Sequence, residues 1–412
     1  MKTIFLIPTL ILVITGCLFN EVRDNKNSNT VLLSQTKEME RMHDTLSVYT
    51  EDSSSAKRTA ATVTTAKKIP VTDFTYTITQ VARVLPVNIA GTLVQANDIV
   101  IQGSQAVVAY NFAGDIFAGA IQVIDISKKG EPEIILELLF NSIDINAVAT
   151  DGNEVIFGGA ADPDKWPAKA FVGKFNIKNP DPDNIENSFV FLPSHAVTGI
   201  TRSGNNYFAA SGAKDGALVS LDKNLLPLDT VLIDDIRDVK SFSGGVCIIT
   251  GITDSKETTS YVRTLTTSLD ASGQWDILNF GSDYHKATLE INGGQTALLG
   301  LSEAGTRIIS LPDGDELYQN PNPVITSSLK ANTNSVSSDA NLLFTANGNY
   351  GFRVYKISSS DFSMTEYVGY YPFEGLTEGG ENYSANHVEY QANHLFVAAG
   401  VGGVIICVIE EK

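Results

Sequence analysis

From about Thr75 to its C-terminus the chain repeats one plan, and a repeat of this length constrains the fold more than any other feature of the sequence. The plan is clearest in Asn386–Ile409 (NHVEYQANHLFVAAGVGGVIICVI) and in Ser335–Ile357 (SVSSDANLLFTANGNYGFRVYKI). Short β-branched runs alternate with clusters of Gly, Asn, Asp and Pro, which is the pattern of serial antiparallel strands. Alignment on the turn after each first strand (Gly103, Gly152, Gly204, Gly244, Gly293, Ala340 and Ala392) puts the residue six places earlier in a column. Its members are Asn97, Asn146, Thr198, Asp238, Ala287, Asn334 and Asn386, at successive spacings of 49, 52, 40, 49, 47 and 52 residues. Units of this size match the blades of a β-propeller.

Each unit continues with a second strand, such as AVVAY, EVIFGGA or LFVAAG. A third follows, such as AIQVIDI, FRVYKI or VIICVI. A fourth, outer strand closes most units: EIILELLF, NSFVFLP, LDTVLIDD, WDILNF, PVITSSL and TEYVGYYPF. The seventh unit ends without one. A surplus strand stands before the first unit, at Ile78–Val87 (ITQVARVLPV). Pairing the surplus strand with the C-terminal unit closes a ring and removes two sheet edges. The expected fold is therefore all-β: a seven-bladed β-propeller over residues 71–412, closed by an N-terminal strand in the C-terminal blade.

The N-terminal region reads differently. Met1-Lys2 is followed by the apolar run Ile4–Ile14, too short to span a bilayer, and then by Ile14-Thr15-Gly16-Cys17. This resembles the bacterial lipobox, in which cleavage before the cysteine is coupled to its acylation. The resemblance implies a signal peptide over 1–16 and lipidation at Cys17, with several acyl chains giving firm anchorage. Residues 17–70 are polar and poor in aromatics, as expected of a flexible tether.

Two strand segments, GAIQVIDISKKGEPEII (Gly119–Ile135) and ANGNYGFRVYKI (Ala346–Ile357), resemble the LVIVD repeat of bacterial β-propeller lipoproteins. The likeness spans Ile78–Ile409. It is strongest in blades one, six and seven, and blades three to five depart from the motif. It implies a fold and an envelope location, at the outer membrane or cell surface. It carries no catalytic residues.

Composition narrows the partners. The 412-residue chain has 29 basic and 47 acidic residues, a formal net charge of −18. Nucleic-acid binding needs a basic face and is not expected. Cys247 and Cys407 sit in apolar strand patterns, three blades apart, and read as buried free thiols rather than a disulfide.

Candidate chemistry gathers where the first strands begin. Six of the seven column residues are polar: Asn97, Asn146, Thr198, Asp238, Asn334 and Asn386. They would face the channel at one rim, either capping strand ends or holding a polar ligand. His195, His285 and His387 would crowd the same rim, with Asp144, Asp235, Arg237 and Lys286 adding charge. A transition metal would need the three histidines to meet, and lone loop histidines seldom do. One carboxylate makes the column a poor calcium cage, so no cofactor is expected. The acidic turns Asp162-Pro163-Asp164 and Asp313-Gly314-Asp315 lack the spacing of a calcium loop and read as turn chemistry. No nucleophile elbow, HExxH, P-loop or dinucleotide motif occurs.

The expectation is a lipid-anchored, exported propeller held to a membrane through Cys17. It would act as a non-catalytic binding or scaffolding module for an envelope protein or a cell-surface glycan. The alternative is a metal-assisted hydrolase or lyase at the channel mouth, built from Asp238, His195, His285 and the asparagines.

Overall fold

A computed structural model describes the strand at 30–34 and residues 75–412, except 213, 253–258, 279–285, 321, 323, 327–328, 340, 359–361 and 363–365. The lipobox and most of the tether lie outside the described residues. No helix among them is long and apolar enough to cross a membrane.

The seven repeats form seven four-stranded antiparallel sheets. Their inner strands are Gln95–Gln102, Ile143–Asp151, Ala196–Ser203, Ile236–Phe242, Thr288–Asn292, Ser335–Asp339 and His387–Gln391. Each inner strand packs against the next, and that of blade seven packs against that of blade one, so the ring is closed. The closing strand is Tyr76–Val84. It is the outer strand of blade seven, antiparallel to Val404–Glu411, with Ile78 opposite Ile409 and Val84 opposite Val404. The expected closure is therefore present. It covers the edge that Val404–Glu411 would otherwise offer to another chain and makes Tyr76–Val84 the outer edge of the blade.

Alternation explains the burial. Along Tyr76–Val84 the residues Ile78, Gln80, Ala82 and Val84 are buried and their neighbours are partly exposed. The second strands are buried on both faces, as in Ala106–Tyr110 and Leu395–Ala398, because each blade is covered on both sides by neighbours. The core is accordingly divided into seven apolar wedges, one at each blade junction. Cys247 and Cys407 are buried and free. Trp166 packs on Phe189 and Phe191 at 5.2 and 6.0 Å between ring centroids. Tyr371 and Phe373 are buried at the junction of blades six and seven, whereas Tyr367 is exposed.

Four local expectations are corrected. In blade five the outer strand is Glu316–Asn320, not PVITSSL. The third strand turns back at once through Gly314 (φ 80°), so the first extended segment after the turn takes the edge. The β-branched Val324–Thr326 instead forms a separate hairpin with Leu329–Lys330. In blade two the outer strand is only Val190–Phe191, preceded by a helical turn at Pro182–Asn187. Within the expected tether, Thr30–Ser34 adds a fifth strand to the outer edge of blade one, with Thr30 opposite Phe140.

The fourth correction affects the rim. Gly103, Gly152 and Gly204 take the first, left-handed turn position, with φ of 61°, 64° and 61°. In blade four Phe242 pairs directly with Gly245, so the turn is Ser243-Gly244 and Gly244 is its second residue. The alignment therefore slips by one, and the column residue of blade four is Arg237, not Asp238.

Candidate functional site: the channel rim

In blades one to four the column residue is a β-bulge. Asn97, Asn146, Thr198 and Arg237 each sit unpaired where the inner-strand register shifts. A bulge frees one residue from the ladder and re-aims its side chain. Three of the column asparagines reach the next blade. Asn97 Nδ2 donates to the carbonyl of Ile145 at 3.0 Å, Asn334 Nδ2 to that of Ala385 at 3.0 Å, and Asn386 Nδ2 to that of Ala96 at 3.0 Å. In all three the acceptor is the residue just before the equivalent asparagine in the following blade. Thr198 Oγ1 reaches the carbonyls of Ala210 at 3.3 Å and Ile236 at 3.4 Å. Asn146 Oδ1 accepts from Asn111 of blade one at 2.9 Å. Arg237 Nη2 instead pairs with the buried Asp235 at 2.6 Å.

The next position along each strand completes the pattern. Asp98 Oδ2 accepts from the amide of Val148 at 2.9 Å, Asp238 Oδ2 from Leu289 at 3.0 Å, and Ser335 Oγ from Val388 at 2.9 Å. Where the column residue is the apolar Ala287, Thr288 Oγ1 donates to the carbonyl of Asn334 at 3.1 Å. Two adjacent columns thus stitch neighbouring blades at every junction except that of blades two and three. There, among the described residues, the link is polar but lies elsewhere: Asp151 pairs with Arg202 and accepts from Tyr207 Oη.

Two residues further on, the same strand face carries Lys240, Glu290, Ser337 and Glu389. This constellation was missed in the sequence, although the two-residue period of a strand points to it. Lys240 Nζ lies 4.0 Å from Glu290 Oε2. Burial would drive Lys240 towards its neutral form, but Asp238, Glu290, Asp98 and Glu389 outweigh that and hold the ammonium above its ordinary range. Burial lifts Glu389 from 4.5 to about 8, reinforced by Glu290 and Asp98 and opposed by Lys240. Burial also raises Glu290, with Lys240 opposing. Asp238 rises from 3.8 to about 6 through burial, offset in part by Lys240 and its two backbone amide donors. Lys286 reaches across the mouth to the carbonyl of Asn386 at 3.0 Å; the surrounding walls lower its ammonium even though solvent reaches it.

Among the described residues the histidines form no metal-binding group. His387 Nδ1 lies 3.0 Å from Asp98 Oδ1. Burial lowers His387 from 6.5 to about 4, against the pull of Asp98, so it is neutral at pH 7. His195 is exposed in the loop before blade three, and His285 lies outside the described residues. Among the described residues no three His, Cys, Asp or Glu side chains converge in metal-binding geometry. Asp144 is engaged in the fold, Oδ1 accepting from the amides of Phe112 at 3.1 Å and Ala118 at 3.2 Å. The acidic turns close on themselves: Asp162 Oδ1 accepts from the amide of Asp164 at 3.0 Å, and Asp313 Oδ1 from that of Asp315 at 3.3 Å. Chemically, the rim is a set of hydrogen bonds between blades around a charge-compensated channel.

The architecture is that of solved propellers. One structure, titled "Structure of U3-55K", superposes with a TM-score of 0.57 at 12% identity, covering 76% of this chain and 95% of its own. Another, titled "Crystal structure of RRP9 WD40 repeats", gives 0.55 at 11% identity and covers 77% and 100% respectively. At such identities the likeness establishes the seven-bladed fold alone. No family model matches the chain, and no curated protein matches it in sequence.

Proposed function

We propose that this chain is an exported, lipid-anchored seven-bladed propeller that serves as a non-catalytic binding or scaffolding module for a protein of the cell envelope. The observation that carries this reading is the use made of the rim. Asn97, Thr198, Asp238, Thr288, Asn334 and Asn386, which face the rim, are engaged in blade-to-blade bonds, although Asn97 Oδ1 and Arg237 Nε are buried without a hydrogen-bond partner among the described residues. The propeller remains a rigid ring that presents its loops and faces outward, which suits recognition of a protein surface. The lipobox-like Ile14-Thr15-Gly16-Cys17 supports anchorage, and the LVIVD-like strands support an envelope location. A glycan is the secondary partner class.

The test is made in cells. Wild-type chain should partition with membranes, and Cys17→Ser should release it or leave it unprocessed. Photo-crosslinking residues placed on exposed loops around the ring should give discrete protein adducts. A Cys17→Ser chain that still partitions with membranes after loss of its first 16 residues would remove the anchorage. A complete lack of adducts around the ring would remove the scaffolding role.

A further inference from the structure

On the rim face, a cleft of about 540 Å³ opens between blades one and two, within the range of small binding sites. Three short segments form it. They are the hairpin of Asn88–Ile89 with Thr92–Leu93, the loop of blade one through Ile116, and the turn of blade two through Asp162. Its apolar surface comes from Ile89, Ile116 and Phe117, and its acidic surface from Asp115, Asp162 and Asp164.

Two features mark this cleft out from an ordinary gap between loops. Its walls are preorganised. Asp144 ties both ends of the Ile116 loop by accepting from Phe112 and Ala118. Asp162 fixes its turn by accepting from the amide of Asp164, and Trp166 Nε1 holds the base of that turn to Ser142 at 3.0 Å. Within this fixed frame Ile116 remains 51% exposed, although burying such a side chain is worth about 1.5–3 kcal/mol.

The charge around it is one-sided. Lys165 Nζ is 4.0 Å from Asp162 and 3.3 Å from the carbonyl of Asn141, so it offsets Asp162 alone. Asp115 and Asp164 have no ion pair among the described residues. An apolar knob between uncompensated carboxylates is complementary to an apolar side chain flanked by cations. The net charge of −18 would steer such a segment inward.

We infer that this cleft docks a protruding segment of a partner protein in which lysine or arginine stands next to a large apolar side chain. This deepens the scaffolding reading and rests on it.

The test uses the full-length chain and a labelled twelve-residue peptide containing three Lys-Leu pairs. Binding should saturate, weaken as salt rises, and be absent for the same peptide with glutamate in place of lysine. Ile116→Ser and the double variant Asp115→Lys/Asp164→Lys should each weaken it at least tenfold, at unchanged melting temperature. Asp276→Lys, an exposed charge reversal on the outer strand of blade four, should change it less than twofold. Absence of saturation, or equal weakening by Asp276→Lys, overturns the inference, because attraction would then be to the overall charge. A photo-crosslinker at position 116 separates the two levels in cells. Adducts at 116 support the cleft. Adducts at other loops but not at 116 refute the cleft and leave the scaffold standing. No adducts at any position refute both.

Discussion

Two regions of the ring are built on opposite principles. The junctions of blade seven with blades six and one are apolar and interlocked by chain ends. Phe396, Ile405, Ile406 and Val404 from the C-terminal part pack with Ile78, Ala82 and Val84 from the N-terminal strand. The junction of blades five and six has, among the described residues, a small apolar wedge of Leu298, Ile308, Val336, Leu343, Tyr355 and Ile357. Beside it runs a buried polar chain. Thr333 Oγ1 donates to Asn322 Oδ1 at 2.7 Å, Asn347 Nδ2 reaches Thr333 Oγ1 at 3.2 Å, and Thr345 Oγ1 donates to Asn347 Oδ1 at 2.8 Å. Asn322 also donates to the carbonyl of Ser302, whose strand-like bridge with Thr333 spans the two blades. The difference is that between area and satisfaction. An apolar junction loses stability in proportion to what is cut away, while a polar one fails when a single partner is removed and the remainder is left buried and unpaired.

The largest effect should come from deleting residues 75–84. The ring loses its closing strand, the edge of Val404–Glu411 is bared, and Ile78, Ala82 and Val84 are lost from two wedges. The cost is expected to approach the whole stability of a domain, about 5–15 kcal/mol, and calorimetry should find no cooperative melt. Next, Phe396→Ala, fully buried at the closure, should cost about 3–5 kcal/mol in denaturant unfolding. Thr333→Val preserves shape but strands Asn322 Oδ1 and leaves Asn347 Nδ2 only the carbonyl of Asn332, and should cost about 1–3 kcal/mol. The contrast breaks if Thr333→Val costs more than Phe396→Ala, or if it costs nothing.

A further effect is a dependence on pH. The folded chain keeps a proton on Glu389 up to about pH 8, whereas in the unfolded chain this group loses it near its ordinary value of 4.5. Between those values the folded state binds more protons, so this group makes stability fall as pH rises. Glu389→Gln removes that loss. Its melting advantage over wild type should be absent near pH 4 and grow towards pH 8. His387 works in the other direction: its depressed value of about 4 makes stability fall as pH drops below 6.5. An advantage of Glu389→Gln that shrinks with rising pH would contradict the burial assigned to this carboxylate.

The ring and its closure were legible in the sequence because they depend on period. Seven units, one surplus strand and one missing strand leave little freedom of topology. What depends on a single turn was harder to read. Gly244 looks like the turn glycine of the other blades but takes the second turn position, so Asp238 was placed in the column that Arg237 occupies. The outer strand of blade five was misread because β-branched Val324–Thr326 outranks Glu316–Asn320 in propensity, although the tight turn through Gly314 decides the pairing. The rim asparagines were visible as a column, but their acceptors are backbone carbonyls of the next blade, which no side-chain pattern announces. The charged set of Lys240, Glu290 and Glu389 lay two residues on, and only strand alternation applied across all seven blades brings it together.

The central claim is that the rim asparagines hold the blades together, leaving partner recognition to the surrounding faces. The most direct measurement compares Asn97→Ala, Asn334→Ala and Asn386→Ala for denaturant stability and for partner crosslinking per folded molecule. Loss of each amide should cost about 1–3 kcal/mol with crosslinking unchanged. Unchanged stability together with lost crosslinking in all three would contradict the claim and make the channel mouth itself the binding site.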